Sequence, residues 1–397
     1  TLQDVLRQRP GWLEGQDEEW DFHWCDVGWL RENYGHAYLE DHVRICHFGQ
    51  PLRADAQEPD GEEPEAAAPA PEREASPAEA ALRLLPCTLE LPCEYHLFVE
   101  EFKRSPGGTW IMKPARAAGP RDLPVPPRLK DVTDWRRGAA GRTRRARRGG
   151  ARESYVAQRY IEDPYLISGR KFDLRVYLLV TSHRPLKAWL YRDGRAASPG
   201  RASAGSIRDQ YAHLTNVACS ARRPTTTRAA ASGSCSSCAV YLTARHGARA
   251  VEALFGEIDN VGVRSLQSVQ KVIINDKHCF ELSRLRHHPG QGPEAVADRG
   301  ERLASLNATC QQDYELKCRL LEDTLNVVDM EGRLTGREAQ VGGFDLMWSD
   351  RPVYREDVNP PASVSPFRTP NTHLGCFNDR KSQLRKLFKP LAGQMAV

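Results

Sequence analysis

The chain has no apolar run approaching membrane-spanning length and no secretory hydrophobic core near its start, so neither a spanning helix nor a signal peptide is expected. It has no G-x-x-x-x-G-K-[ST] loop, which excludes a P-loop nucleotide fold. Neither a His-E-x-x-His helix nor a nucleophile elbow occurs, which removes the commonest zinc-hydrolase and serine-hydrolase readings. Its eleven cysteines follow no framework of spacings and point to a reducing compartment. The one close pair, Cys235-Ser-Ser-Cys238, is a weak metal or redox motif without a partner pair. A net charge of +4 is too small to imply a polyanion partner. The Arg136 to Arg148 run lacks any recognition motif, so nucleic acid binding is not expected. A soluble intracellular protein is the expectation. Its 397 residues suffice for two or three domains.

What is present is organised around Tyr155 to Val180. Two strand-like runs flank a turn at Ile167-Ser168-Gly169, followed by Arg170, Lys171, Asp173 and Arg175. Phe172, Leu174 and Val176 alternate with Lys171, Asp173 and Arg175, so a strand places the charges on one face and the apolar set on the other. Two cations around a carboxylate suit a polyphosphate with its metal. The same pattern also fits a solvated strand face.

Elsewhere, residues 1–48 are dense in aromatics (Trp12, Trp20, Phe22, Trp24, Trp29, Tyr34, Tyr38), which predicts packing and not base stacking. Residues 50–80, rich in Ala, Pro and Glu, read as linker. A helix over Glu94 to Phe102 leads into a strand at Trp110 to Pro114 carrying Lys113. Ala188 to Tyr191 reads as a strand and residues 220–238 as loop. The spacing of Val251, Leu254, Phe255, Ile258 and Val261 predicts a packed helix, residues 283–311 read as structureless, and Tyr314 to Val328 and a basic Phe377 to Phe388 read as helices. Lys113, Lys171, Asp173, Arg175, Thr215 and Asn216 together make a plausible nucleotide site. His213 beside them reads as structural.

Four motifs, W-I-M-K-P at 110–114, Y-V-A-Q-R-Y-I at 155–161, G-R-K-F-D-L-R at 169–175 and H-L-T-N at 213–216, resemble in order and spacing the tubulin–tyrosine-ligase-like family. The likeness continues at Cys93 to Phe102, Ser265 to Glu281, Asp313 to Phe344 and Asn371 to Lys386. It implies an α+β, ATP-grasp-like fold in which two lobes close on ATP and Mg²⁺. The expected division is an N-terminal part at 1–86, a central lobe at 87–165, a C-terminal lobe at 166–330 and a basic extension at 331–397. The implied activity is that of a polyglutamylase, which activates a glutamate carboxylate of a tubulin tail as an acyl phosphate and joins it to the amine of free glutamate. Tubulin and microtubules are the implied partners, in the cytoplasm and cytoskeleton, at the cilium basal body and in the axoneme or flagellum.

By the same resemblance Lys113 contacts ATP phosphates, and Gln158, Arg159, Tyr160 and Ile161 form the interdomain hinge against adenine. Lys171 and Asp173 bind nucleotide, Arg175 stabilises transferred phosphate or substrate, and Thr215 and Asn216 complete the ATP site.

Three family features are missing as written. Residues 118–126 hold no glycine-rich G-K-G-I-F loop, no G-C-K-W segment stands near 230, and no metal-binding G-Y-D-I and E-V-N-A-S-P lie between 283 and 311. No metal ligand is therefore identifiable, and a catalytically dead tubulin- or microtubule-binding protein is the alternative reading. With synonymous codons, a one-base shift lets Arg284 to Ala304 read G-Y-D-I-I-L-D-K-D-L-K-P-W-L-I-E-V-N-A-S-P. Shifts at 121–126, 51–66 and 224–235 likewise restore family segments. Compensated frame errors are thus expected, and the transcript sequence tests them. Pro, Gly and unpaired charge at 284–294 further predict that the literal chain is insoluble or molten. A cooperative thermal transition with an ATP-dependent midpoint would refute that.

Overall fold

The computed structural model describes residues 1–15, 20–33, 39–49, 86–114, 123–125, 155–197, 232–290, 295–301, 306–308, 310–354, 370–376 and 379–388. The expected linker at 50–80, the basic run at 136–148 and the His213-Leu-Thr-Asn216 motif lie outside them.

The architecture is mixed α and β, built on one strand, Asp173–His183, whose first eight residues are all buried. Its sequence explains this. Leu174, Val176, Leu178 and Val180 enter one core, while Tyr177 and Leu179 enter another on the opposite face. A strand apolar on both faces belongs in the middle of a sheet covered on both sides. Glu281–Pro289 runs antiparallel along one edge of it, opposite Leu174 to Val180. The other edge is shared by Arg195–Ala197, opposite Asp173 to Arg175, and Leu186–Tyr191, opposite Leu178 to His183. Ser232–Ser234, Ala295–Glu301, Gln340–Val341, Phe344–Ser349 and Arg351–Pro352 complete nine strands among the described residues.

Helices Cys235–His246 and Ala248–Val269 cover one face. The second buries Val251, Leu254, Phe255, Ile258 and Val261, the stripe that its spacing predicts. Helix Gln311–Val328 covers the other face through Leu316, Leu320, Leu321 and Leu325. The N-terminal aromatics join this second core, where Phe22 stacks on Phe280 at 5.8 Å. Ile45 N donates to His278 O (2.8 Å) and Phe280 N to Ile45 O (3.0 Å), which ties this segment to the chain just before Glu281–Pro289.

A separate antiparallel sheet runs Thr88–Leu91, Tyr155–Arg159, Trp110–Pro114, Leu123–Val125. Helix Tyr95–Arg104 packs on it through fully buried Phe98, edge-on to Trp110 at 4.9 Å between ring centres.

Three expectations fail. Residues 283–311 are not structureless, because Glu281–Pro289 and Ala295–Glu301 are strands and Gln311 opens a helix. The long edge of Asp173–His183 offers a ladder of backbone donors and acceptors, and such pairing is indifferent to the charged composition that made this stretch read as loop. Residues 220–238 are not all loop, since Ser232–Ser234 is a strand and Cys235 opens a helix capped by Ser234, whose Oγ accepts from Ser237 N at 3.0 Å. Residues beyond 330 are not merely a basic extension. Phe344–Ser349 is a sheet strand with Phe344 and Asp345 fully buried. Helix Arg380–Leu387 is held through Arg380 Nε, 2.7 Å from Asp323 Oδ2.

Candidate nucleotide site

The site begins at a tight hairpin. Leu166–Ile167 pairs with Arg170–Lys171 across Ser168 (φ 52°) and Gly169 (φ 71°). Two successive left-handed residues are what a two-residue hairpin needs, and glycine adopts the second without steric cost. The hairpin brings Lys171 to Tyr160, with Nζ 3.4 Å from the hydroxyl and 4.5 Å from the ring centre. Tyr160 follows directly on strand Tyr155–Arg159, so this contact joins the end of the four-stranded sheet to the hairpin that leads into the central strand.

One strand over, Lys113 Nζ donates to Gln158 Oε1 (2.6 Å), and Gln158 Nε2 donates to Thr88 Oγ1 (2.9 Å). The pair is diagonal in register, since Lys113 faces Val156 and Gln158 faces Ile111. Arg159 turns the other way, 4.0 Å from Glu101 Oε1 on the neighbouring helix. Ile161 is half-buried. Thr215 and Asn216 lie outside the described residues.

The charges on the central strand are not a solvated face. Lys171, Asp173 and Arg175 are 5 %, 0 % and 6 % exposed. The register adds what spacing could not. Arg175 sits opposite Arg195 on one side and Arg286 on the other, so three arginines form a row across three strands. Arg286 Nε lies 3.1 Å and Arg175 Nε 3.5 Å from Asp173 Oδ2. Arg195 Nη1 reaches Asp313 Oδ2 at 2.8 Å, and Lys317, one turn further along that helix, reaches the same oxygen at 3.0 Å. Burial above all, and also the nearby guanidinium groups of Arg286, Arg284 and Arg195, lowers the Arg175 pKa from arginine's ordinary value, against the opposing pull of Asp173. Burial likewise lowers Lys317, with Asp313 opposing. Like charges held together out of water are costly, and an anion seated among them offsets the cost.

Arg195, Arg284, Arg286, Asp313 and Lys317 were missed from sequence. Only the Asp313/Lys317 spacing of four on a helix was a readable signal. Gly194 also serves the row. A Cβ there would strike the Arg175 carbonyl and lie 2.8 Å from Cys235 Sγ, so glycine permits the close approach of these two strands.

The described residues do not fit a divalent metal. Asp173 is the one carboxylate on the central strand, its Oδ2 lies beside two guanidinium nitrogens, and no group of three His, Cys, Asp or Glu gathers among the described residues. For phosphate oxygens the same cations are suited.

The sequence matches the model of the "Tubulin-tyrosine ligase family" over residues 63–285. It is 50 % identical over 422 aligned residues to a Bos taurus protein named "Probable tubulin polyglutamylase TTLL9", covering 99 % of this chain and 92 % of that one. The chain belongs to the tubulin–tyrosine ligase family. A Caenorhabditis elegans member, "Probable tubulin polyglutamylase ttll-9", is 35 % identical over 87 % of this chain and 82 % of its own. A Tetrahymena thermophila member, "Probable alpha-tubulin polyglutamylase Ttll1", is 33 % identical over 68 % of each. The family match ends at Leu285, inside strand Glu281–Pro289, where the segment lacking the metal motifs begins.

Proposed function

We propose that this family member is a tubulin polyglutamylase, an ATP-dependent ligase that adds glutamate to glutamate side chains of tubulin tails. The names of the relatives support the substrate, and the buried row Arg286–Arg175–Arg195 supports the chemistry. A tail carboxylate attacks the γ-phosphorus of ATP and gives an acyl phosphate and ADP. The amine of free glutamate then attacks the acyl carbon, phosphate leaves with the bonding pair, and the amine proton is lost to form the amide.

Each of these steps gathers negative charge on phosphate oxygens, and preorganised cations stabilise it. Lys113, from the four-stranded sheet, and Lys171, from the hairpin before the central strand, face the nucleotide phosphates. Gln158 to Ile161 provide the strand end and hinge against the adenine, with Gln158 orienting Lys113 and Tyr160 orienting Lys171. Asp173 fixes Arg175, and Arg175 bears on the transferred phosphoryl group. Thr215 and Asn216 complete the nucleotide site in this reading. The two sheets are the two lobes, closing about the Tyr160–Lys171 contact. Mg²⁺ accompanies ATP in the family, but the described residues do not fit it and no step is assigned to it. Tubulin, microtubules and free glutamate are the partners, and the cytoskeleton, basal body and axoneme the places of action.

The test is incorporation of labelled glutamate into tubulin by the full chain with ATP and Mg²⁺. Incorporation that falls at least about a hundredfold in Arg175→Gln and Lys171→Gln supports the reading. A second reading, a nucleotide- and tubulin-binding protein without turnover, is favoured by Arg286 standing 3.1 Å from Asp173. ATP binding with no incorporation by the unaltered chain selects it. Loss of both refutes the site.

A further inference from the structure

Among the described cysteines, Cys25 and Cys46 are set apart by their placement. Strands Phe22–His23 and Arg44–Ile45 pair in parallel, with Phe22 opposite Arg44 and His23 opposite Ile45. Just past this pair, Cys46 holds the neighbouring chain at two points. Its N donates to His23 O at 3.3 Å, and its Sγ lies 3.3 Å from Cys25 O. Neighbouring strands stand about 4.8 Å apart, and a disulfide spans about 4.4–6.8 Å between Cα atoms. The fold thus brings two thiols, 21 residues apart in sequence, to the spacing a disulfide needs.

Both are free thiols buried in the second core, beside Ile45, Phe280 and Leu282. The backbone next to each is anchored. Ile45 bonds to His278 and Phe280, and Trp29 N donates to Asp26 Oδ1 at 2.8 Å. Nothing in the nucleotide reading uses this pair.

The two thiols are not equivalent. Cys25 is 6 % exposed and Cys46 1 %. The hydrogen bond between the thiols lowers the Cys25 pKa; burial opposes it, and nearby His47 adds to it. The same bond, and then burial, raises that of Cys46. The thiolate is the attacking species in disulfide exchange, so Cys25 is the attacking sulfur and Cys46 the resolving one. Cys235 and Cys238, the pair three apart on helix Cys235–His246, differ. Burial raises both, Cys238 to about 12, so neither sulfur is favoured as a thiolate.

We propose that Cys25 and Cys46 form a reversible disulfide, a redox modification site that follows the ratio of glutathione disulfide to glutathione. The Cys25 thiolate attacks one sulfur of glutathione disulfide, whose S–S bond breaks and releases one glutathione thiolate. Cys46 gives its proton to solvent and attacks the Cys25 sulfur of the mixed disulfide, and the second glutathione leaves. Two protein thiols are oxidised and one glutathione disulfide is reduced to two glutathiones. Closing the loop restricts the unfolded chain, so the oxidised form holds its N-terminal segment more firmly. No step needs nucleotide or tubulin, so the site stands or falls apart from the proposed ligase activity.

The experiment equilibrates the full chain in glutathione buffers from reduced to oxidised, once folded and once in concentrated urea. Free thiols are then capped by alkylation, and linked peptides are read by mass spectrometry. In the folded chain the Cys25–Cys46 link is expected about tenfold above Cys235–Cys238 or any other pair, and it should disappear with dithiothreitol. In urea that preference should be lost. Cys46→Ser is expected to hold glutathione on Cys25, while Cys25→Ser leaves Cys46 unmodified; circular dichroism checks that each folds. The oxidised unaltered chain should also unfold at higher urea than the reduced one, a difference absent from Cys25→Ser. No link under oxidised glutathione alone, preference for another pair, or the same preference in urea overturns the proposal. That comparison uses the unaltered chain and so holds whether or not the variants fold. Glutathione taken up by Cys46 in Cys25→Ser as readily as by Cys25 in Cys46→Ser overturns Cys25 as the attacking sulfur. An unfolding midpoint that oxidation leaves unchanged or lowers overturns the firmer hold on the N-terminal segment.

Discussion

His287 gives the sharpest test of where the unexpected strand lies. It is fully buried opposite Leu174, and neither ring nitrogen has a hydrogen-bond partner among the described residues. Burial, helped by neighbouring His288, pushes its pKa down to about 3. The folded protein therefore holds this imidazole neutral over a range in which the unfolded chain, with an ordinary value near 6.5, binds a proton. The sign follows: below about pH 6.5 the unfolded state gains protons and the folded state does not, so stability falls as pH falls until the depressed value is reached. At pH 5 the difference is about 1.5 pH units at 1.36 kcal/mol each, or roughly 2 kcal/mol. That is a large share of a margin of about 5–15 kcal/mol. Urea unfolding at pH 7 and pH 5 of the unaltered chain and His287→Leu measures it. The unaltered chain is expected to lose about 2 kcal/mol more than the variant between the two pH values. Parallel losses would mean that His287 is solvated, and the placement of residues 281–289 beside the central strand would be wrong.

Other substitutions probe the frame around the site. Asp323→Ala removes the buried acceptor for Tyr191 OH (3.1 Å), Gly343 N (2.9 Å) and Arg380 Nε (2.7 Å), and calorimetry is expected to show a loss of about 3–5 kcal/mol, with a loss under about 1 counting against the buried network. Phe98→Ala empties the core of the small sheet, shared with Leu91, Trp110, Met112 and Ala157, and denaturant unfolding should register about 3–5 kcal/mol. Burial raises the Glu331 pKa, but hydrogen bonds from Arg9 (2.5 and 2.6 Å) and Trp12 (2.8 Å) outweigh it and leave the carboxyl below its ordinary value. Stability from this carboxylate is therefore present above about pH 4.3 and lost as pH falls through the depressed value, so Glu331→Gln should flatten acid unfolding there.

Elements whose cause is local were legible in the sequence. The helix Ala248–Val269, the strand Trp110–Pro114 and the turn at Ser168–Gly169 follow from apolar spacing and from residues suited to left-handed backbone. Lys113 and Gln158, and Tyr160 and Lys171, meet in pairs in the structure, but Gln158 and Tyr160 were singled out through the family resemblance and not through any local cause. Register was not legible. Nothing in Arg195 or Arg286 reveals that each will face Arg175, because the partner is set by which strands pair and not by either strand's own residues. Alternation along 171–175 likewise cannot distinguish a charged face turned to solvent from a buried one, and the structure gives the second.

Strand Glu281–Pro289 carries the remaining argument. It flanks a strand that is buried on both faces, a position that favours an apolar run, yet it reads ELSRLRHHP. Its register sets Arg286 against Arg175 and His287 against Leu174, so it brings like charge and an unbonded imidazole into the core. With a suitable choice of synonymous codons a shifted frame over the same stretch can read G-Y-D-I and then E-V-N-A-S-P, which would return apolar side chains and acidic ligands to this edge. The two versions differ in kind at one place. With Arg286 present, the row beside Asp173 attracts phosphate and repels a divalent cation. With carboxylates restored, the same edge would hold both. Long-read sequencing of the transcript across codons 280–312 separates them. The restored motif would make the native protein a metal-dependent ligase, with this chain a frame-altered copy. The sequence as it stands would make the arginine row beside Asp173 a true feature of this chain's phosphate site.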